Sequence, residues 1–231
     1  MVLRTATVII LSIIFSACSA NNTNNSNQSS GQKPNPKFEY GKLVVDKSNS
    51  NFLPENSDYI MVPVKLEDGD DNSSAERVLY TNIIFYHKLS GKSHLLLGRK
   101  SLIREFDFVE LSDEDNKNMS FLILSMIERD TDGDGYLTWY DGQVGYLSDL
   151  SGKNLQQITP ENTNLINWYF DRNSKTLFLN ISRDSNKDNK FTTQDETSFL
   201  KVSLNKPGIG SEIISNDIEL QNNIKRISSG N

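Results

Sequence analysis

Phe85-Tyr86-His87-Lys88-Leu89-Ser90-Gly91-Lys92 returns 61 residues later as Tyr146-Leu147-Ser148-Asp149-Leu150-Ser151-Gly152-Lys153. Each octet leads with aromatic and aliphatic side chains and breaks at Leu-Ser-Gly-Lys, a turn cluster that suits a hairpin and stops any helix. The reading is strand, turn, strand, made twice.

Outward from these octets the same grammar holds. Residues 59–64, 78–86, 121–127 and 176–181 are short runs rich in β-branched and aromatic types, the composition that fits a pleated, half-buried surface. Asn205-Lys206-Pro207-Gly208 supplies a further break. No segment keeps a 3.6-residue apolar period long enough to compete. A second register, 54 residues long, aligns Asp130-Thr131-Asp132-Gly133-Asp134 with Asp184-Ser185-Asn186-Lys187-Asp188, each preceded by a strand and an arginine (Arg129, Arg183). Periods near 50 residues imply stacked or radial sheet units. The expected fold is all-β, an incomplete propeller-like array of about three small antiparallel sheets within residues 38–215, with units near 59–97, 102–158 and 165–215. Residues 216–231 are expected to be a polar C-terminal tail.

Leu155-Gln156-Gln157-Ile158-Thr159-Pro160, then Ile166-Asn167-Trp168-Tyr169-Phe170-Asp171, then Thr176-Leu177-Phe178-Leu179-Asn180 resemble a TolB-type β-propeller repeat. That family has a Leu-Thr strand end, a tryptophan strand, a Ser/Asp-rich turn and an apolar strand. The resemblance covers residues 140–215 well and 59–139 loosely. Asp171-Arg172-Asn173-Ser174 stands where the family carries Pro-Asp-Gly. The resemblance implies propeller blades, but propellers close with four or more. An open array, a compact stack of sheets and closure by a partner chain all remain open.

The strongest chemical signal is Asp130-Thr131-Asp132-Gly133-Asp134-Gly135-Tyr136-Leu137-Thr138-Trp139-Tyr140-Asp141. It has calcium-loop spacing: side-chain oxygens from Asp130, Asp132 and Asp134, the backbone carbonyl of Tyr136, the hydroxyl of Thr138 and a closing carboxylate, Asp141. Gly135 allows the sharp turn at position 6. Asp184, Asn186, Asp188, the carbonyl of Lys190, Thr192 and Asp195 repeat the pattern, with Asn189 in place of the glycine; asparagine enters left-handed conformations more readily than other non-glycine residues. Asp195 is short for bidentate reach, and Glu196 beside it is the longer substitute. With one carboxylate fewer, the second loop is the weaker of the two. Both loops resemble EF-hand and dockerin calcium loops, but strands flank them here, so the ligand positions carry over and the helical frame does not. Ca2+ is the expected cofactor. The alternative is a pair of acidic, solvated hairpin loops.

Arg4 followed by the apolar stretch 6–15 reads as an export signal over residues 1–17, too short to span a bilayer. Phe15-Ser16-Ala17-Cys18 resembles a bacterial lipobox, which implies that Cys18, the single cysteine of the chain, carries the lipid. Ser19 at the following position resembles the sorting pattern for the outer membrane. Residues 18–37 are Asn, Ser, Gln, Gly and Pro with almost nothing apolar, a composition that stays a tether, about 25 Å in mean reach. The expected location is the cell envelope, with the membrane reached through the N-terminal lipid and an envelope or extracellular protein as a further partner. Self-association is also open.

The chain has 231 residues, a formal charge of -6 and a pI near 5.0. Nucleic acid recruited through basic patches is therefore excluded, and divalent cations are favoured. No Gly-x-Ser-x-Gly is present and no His/Cys pairing suits nucleophilic catalysis. His87 and His94 flank one turn without a third zinc ligand. Trp139, Tyr140, Trp168 and Tyr169 read first as core and second as a carbohydrate-stacking surface, and Lys92 and Lys153 as turn residues. The functional expectation is a non-enzymatic, calcium-binding, membrane-anchored module for binding or scaffolding; the alternative is a propeller-type hydrolase using carboxylates or bound calcium.

Overall fold

A computed structural model describes residues 37–38, 42–45, 57–67, 78–111, 119–213 and 218–228. The export signal, Cys18 and the tether up to residue 36 lie outside the described residues. Among the described residues no helix is long and apolar enough to cross a membrane.

Among the described residues the fold is all-β, with strands antiparallel apart from one short parallel pair, and twelve of the fourteen strands fall into three four-stranded meanders. The first is β2 (Lys42–Val45), β3 (Tyr59–Glu67), β4 (Tyr80–His87) and β5 (Ser93–Leu95). The second is β6 (Leu102–Leu111), β7 (Met119–Ile127), β9 (Gln143–Asp149) and β10 (Gln156–Gln157). The third is β11 (Thr163–Asp171), β12 (Thr176–Arg183), β13 (Glu196–Ser203) and β14 (Ser211–Glu212). The first two share one continuous sheet, but their junction is a single residue pair, Tyr80 with Ile103. No closed propeller is formed among the described residues.

Alternation along β7 explains why the second meander lies in the middle. Successive side chains of a strand point to opposite faces. Leu122, Leu124 and Met126 pack with Met61, Ile83 and Phe85 of the first meander. Ile123, one residue out of phase, packs with Leu177, Leu179 and Leu200 of the third. A strand buried on both faces loses the polar-apolar alternation, which is why residues 121–127 read as one continuous apolar run.

Both octets form hairpin turns, the second one residue tighter than the first. Gly91 N donates to His87 O at 3.0 Å and His87 N to Lys92 O at 2.9 Å; Gly152 N donates to Asp149 O at 3.0 Å and Asp149 N to Lys153 O at 3.1 Å. Both glycines have left-handed φ, +67° and +72°. The histidines hold the first meander together and hold it to the second. His94 Nε2 donates to the Ser151 carbonyl at 2.7 Å, its ring stacks on Phe85, and His87 Nδ1 accepts from Ser90 N at 3.1 Å.

The structure adds detail at both ends of the sheet region. Lys37, assigned to the tether, belongs to β1 (Lys37–Phe38), which pairs in parallel with β8 (Tyr136–Leu137). A polar segment gains strand structure when a neighbouring edge offers its backbone groups. The polar C-terminal tail contains a helix, α1 (Ile218–Ser228), with Lys225 and Arg226 in its last turn, where they favour the helix dipole. Its apolar residues Leu220, Ile224 and Ile227 recur at i, i+4 and i+7, a period spread too thinly among polar residues to stand out in the sequence.

At one edge of the second meander Tyr146 Oη donates to Glu128 Oε2 at 2.9 Å and accepts from an Arg99 NH2 group at 3.0 Å, while Arg99 also pairs with Glu128. Burial first, and the bond to Glu128 second, push the phenol up to about 12. A raised acid favours the folded state below its unfolded pKa of 10.0 and loses that contribution as pH climbs to about 12. Ultraviolet titration is expected to place one tyrosine near that value, and Glu128→Gln is expected to bring it down; an unchanged titration would remove Glu128 as a cause.

Candidate metal centre

The first acidic loop joins β7 to β9 through β8, and the second joins β12 to β13. Each therefore links the second and third strands of its meander. Three backbone-to-side-chain hydrogen bonds correspond residue by residue. Gly135 N donates to Asp130 Oδ2 at 2.8 Å, and Asn189 N to Asp184 Oδ2 at 3.0 Å. Asp134 N donates to Asp132 Oδ1 at 3.2 Å, and Asp188 N to Asn186 Oδ1 at 3.0 Å. Tyr136 N bonds to Asp134 Oδ1 and Lys190 N to Asp188 Oδ1, both at 2.8 Å. Side chains at positions 1, 3 and 5 thus each accept a backbone N–H from further along the loop, which curls the chain around them.

Left-handed backbone at positions 4 and 6 completes the curl. Gly133 and Gly135 have φ of +82° and +92°, and Lys187 and Asn189 take +62° and +64° at the same places. The asparagine was legible as a glycine substitute. Lys187 was not, and a β-carbon there costs about 1–2 kcal/mol in the second loop that the first does not incur.

Three carboxylates converge in the first loop. One oxygen from each of Asp130, Asp132 and Asp134 lies within 4.8 Å of the others. At that spacing each pair repels by about 1 kcal/mol in a water-like medium and by about 3 kcal/mol at an effective dielectric of 20. Both oxygens of Asp130 accept backbone N–H groups, from Gly133 at 2.6 Å and from Gly135, and each retains a second lone pair. Asp132 and Asp134 use only Oδ1 in hydrogen bonds among the described residues, leaving Oδ2 for a hard cation. In the second loop Asn186 takes the middle place and donates to Asp188 Oδ2 at 3.0 Å; this relieves repulsion and occupies an oxygen that the first loop keeps open.

The closing aspartates have another task. Asp141 is 2 % exposed. Its Oδ1 accepts from Thr131 N at 2.6 Å and its Oδ2 from Thr138 N at 2.8 Å, and Asp132 N approaches Oδ1 at 3.5 Å. Asp195 does the same, accepting from Ser185 N at 3.2 Å and Thr192 N at 2.7 Å. Each ties the two ends of its loop together. Their acidities diverge: burial dominates at Asp141 and raises its pKa, whereas at Asp195 the Thr192 N–H dominates and lowers it. Thr138 and Thr192, at position 9, cap the following turn, with Oγ1 accepting from Tyr140 N and Gln194 N, both at 3.2 Å.

Three features of the site escaped the sequence reading. Thr131 and Ser185 at position 2 both add hydroxyl bonds to the closing aspartate, at 3.3 and 3.4 Å, a match visible once the loops are aligned. Gly142, just after the first loop, carries the second: a β-carbon built there would lie 2.4 Å from the ring of Phe191 in the second loop, so the two loops touch. Asn164 accepts from Gln143 N at 2.8 Å and reaches Ser182 Oγ at 3.4 Å, tying β9 to β11 and β12. Among the aromatics, Trp168 packs in the core between the second and third meanders, and Arg104 lies over Trp139 with its guanidinium carbon 4.8 Å from the ring centroid. Tyr140 and Tyr169 are 79 % and 66 % exposed, against the expectation of core, because Tyr140 lies in a turn and Tyr169 falls on the outward phase of β11. No protein family, curated protein or solved structure matches this chain.

Proposed function

We propose that this chain is an exported, lipid-anchored, non-enzymatic binding or scaffolding module, with propeller-like meanders and calcium held in the loops 130–141 and 184–195. The observation that carries the reading is the convergence of Asp130, Asp132 and Asp134 within 4.8 Å on a loop already curled by its own backbone N–H groups. Calcium takes six to eight oxygen ligands in flexible geometry. The three carboxylates, the Tyr136 carbonyl and the Thr138 hydroxyl would hold it, with water completing the shell. Asp184, Asn186, Asp188, the Lys190 carbonyl and Thr192 would do so in the second loop. Asp141 and Asp195 act mainly as loop closures. The ion would neutralise repelling carboxylates and stiffen connections between strands. Cys18 would attach the module to the membrane, and an envelope or extracellular protein is the partner class that a non-enzymatic sheet module serves.

Calorimetric titration of the chain with calcium tests this. Two binding events are expected, with dissociation constants of about 0.1 to 1 mM, as for extracellular modules. Asp130→Ala/Asp134→Ala and Asp184→Ala/Asp188→Ala are each expected to lose one of them. At about 10 mM calcium each occupied site adds about 1.4 to 2.7 kcal/mol of stability. A titration without heat, and a melting temperature indifferent to chelator, would sink the proposal.

A further inference from the structure

We infer that the first meander docks on an anionic lipid bilayer, with the tip of the β4–β5 hairpin, residues 88–92, leading. The inference rests on the lipid attachment proposed at Cys18, which brings the chain to a membrane, and is independent of bound calcium.

This tip differs from its repeat. Leu89 is 88 % exposed, whereas the matching Leu150 is half-buried. Lys88 stands where the second octet has Asp149, whose carboxylate serves its own turn by accepting from Ser151 N, Lys153 N and Asn154 Nδ2. Lys88 and Lys92, both exposed, flank Leu89, and Lys88 Nζ donates to Ser57 O at 2.6 Å. Behind the tip the apolar surface continues. Met61, Ile83 and Phe85 pack inward, and the opposite phase carries Ile60, Val62, Ile84, Tyr86 and Leu95, with Ile60 opposite Tyr86 and Ile84 opposite Leu95. Ile60, Tyr86 and Leu95 are 39 %, 38 % and 56 % exposed. Tyr86 leans toward the tip, its hydroxyl 3.6 Å from where a β-carbon on Gly91 would stand. A solvated sheet face is normally polar on its outer phase, and a connected apolar one marks an interaction surface.

Charge selects the partner. Among the side chains described in 57–65 and 78–97, Lys65, Lys88 and Lys92 stand against a single acid, Asp58, in a chain whose formal charge is -6. The two acidic loops lie away from this tip. β9 leaves the first of them at Gln143 and reaches its own hairpin at Asp149, about 20 Å along. His94 Nε2 on the Ser151 carbonyl and Gly152 under the Phe85 ring bring the first hairpin beside that one, while Phe191 against Gly142 keeps the second acidic loop beside the first. Apolar side chains entering the headgroup region, next to lysines that pair with anionic lipid, are the chemistry of interfacial binding. Tyrosine suits that depth, with an apolar ring and a polar end. Docking by the tip also keeps both acidic loops from a surface of their own sign. The stretch from Cys18 to Lys37 reaches about 60 Å at full extension, so the point of attachment does not dictate which part of the chain meets the lipid.

The test is tryptophan fluorescence of the full chain carrying Leu89→Trp, on vesicles of phosphatidylcholine and phosphatidylglycerol with brominated acyl chains. The expected result is a blue-shifted emission from position 89 that the bromines quench, above the background of Trp139 and Trp168 in the unsubstituted chain. Tyr169→Trp, on the third meander, is expected to stay unquenched. Lys88→Glu/Lys92→Glu in the Leu89→Trp chain is expected to lower the ratio of docked to undocked chain at least about 25-fold, at about five-fold per lysine, and vesicles without phosphatidylglycerol should lower it as well. Indifference to both changes overturns the inference, as does equal quenching at 89 and 169. A two-copy species that forms without vesicles and is lost in Leu89→Ser/Leu95→Ser also overturns it, because a second copy then covers the patch. The anchor and the docking fail separately. A chain that sediments with the vesicles while position 89 stays unquenched overturns the docking and leaves the anchor standing; a Cys18→Ser chain that still binds and is quenched at 89 supports the docking and removes the anchor.

Discussion

Asp141→Ala is expected to cost about 2 to 4 kcal/mol of stability, and to cost it equally in chelator and in calcium. The substitution strips the acceptor from Thr131 N and Thr138 N, at 2.6 and 2.8 Å, in a place where the side chain is 2 % exposed. A hydrogen bond to a charged group contributes about 1.5 to 3 kcal/mol, and an orphaned buried donor costs comparably. Removing a carboxylate whose pKa burial has raised returns part of that loss, which keeps the net below the sum of the two bonds. For a domain of this size the melting temperature should fall by about 5 to 15 °C. Thermal unfolding with and without chelator checks it. If the loss vanishes in chelator, Asp141 acts through a metal and its role as a loop closure is wrong.

Gly152→Ala is expected to destabilise by about 2 to 4 kcal/mol, whereas Gly91→Ala, at the matching place in the other octet, should cost about 1 kcal/mol. Both glycines carry left-handed φ, so both alanines incur the backbone strain. The difference lies in what surrounds them. A β-carbon at 152 would sit 2.3 Å from the ring of Phe85, which is fully buried and cannot withdraw, whereas at 91 the nearest atom is the Tyr86 hydroxyl at 3.6 Å. Overpacking a buried site adds about 1–3 kcal/mol. Chemical denaturation of the two variants measures the gap, and equal losses would mean that Phe85 has room to move.

That pair of glycines also marks where the sequence stops being informative. The repeated octets foretell two hairpin turns with a left-handed glycine in each, and both form, although Gly91 N bonds four residues back and Gly152 N three. Nothing in either octet distinguishes the glycine under Phe85 from the one in the open. The acidic loops behave alike. Aspartate at alternate positions and glycine or asparagine at position 6 are local requirements of a curled backbone, so positions 1, 3, 5 and 6 were legible. The work of Asp141 was not, because a carboxylate at position 12 suits either a cation or two backbone N–H groups, and only the folded loop settles which donors reach it. Phe191 against Gly142 was beyond reading for the same reason: 49 residues separate partners that meet only when two meanders stack.

By itself the sequence determined the strands, the turns between them and the curl of the acidic loops, because each depends on residues within one turn or one strand: alternation, left-handed backbone and side chains bonding to nearby N–H groups. Only the tertiary structure decided that the strands divide into three four-stranded meanders, that the second is enclosed while the first carries apolar side chains on both phases, and that the two acidic loops touch. Those outcomes follow from which buried surfaces pack together across long separations. A one-dimensional pattern records that a face is apolar; it does not record what covers it.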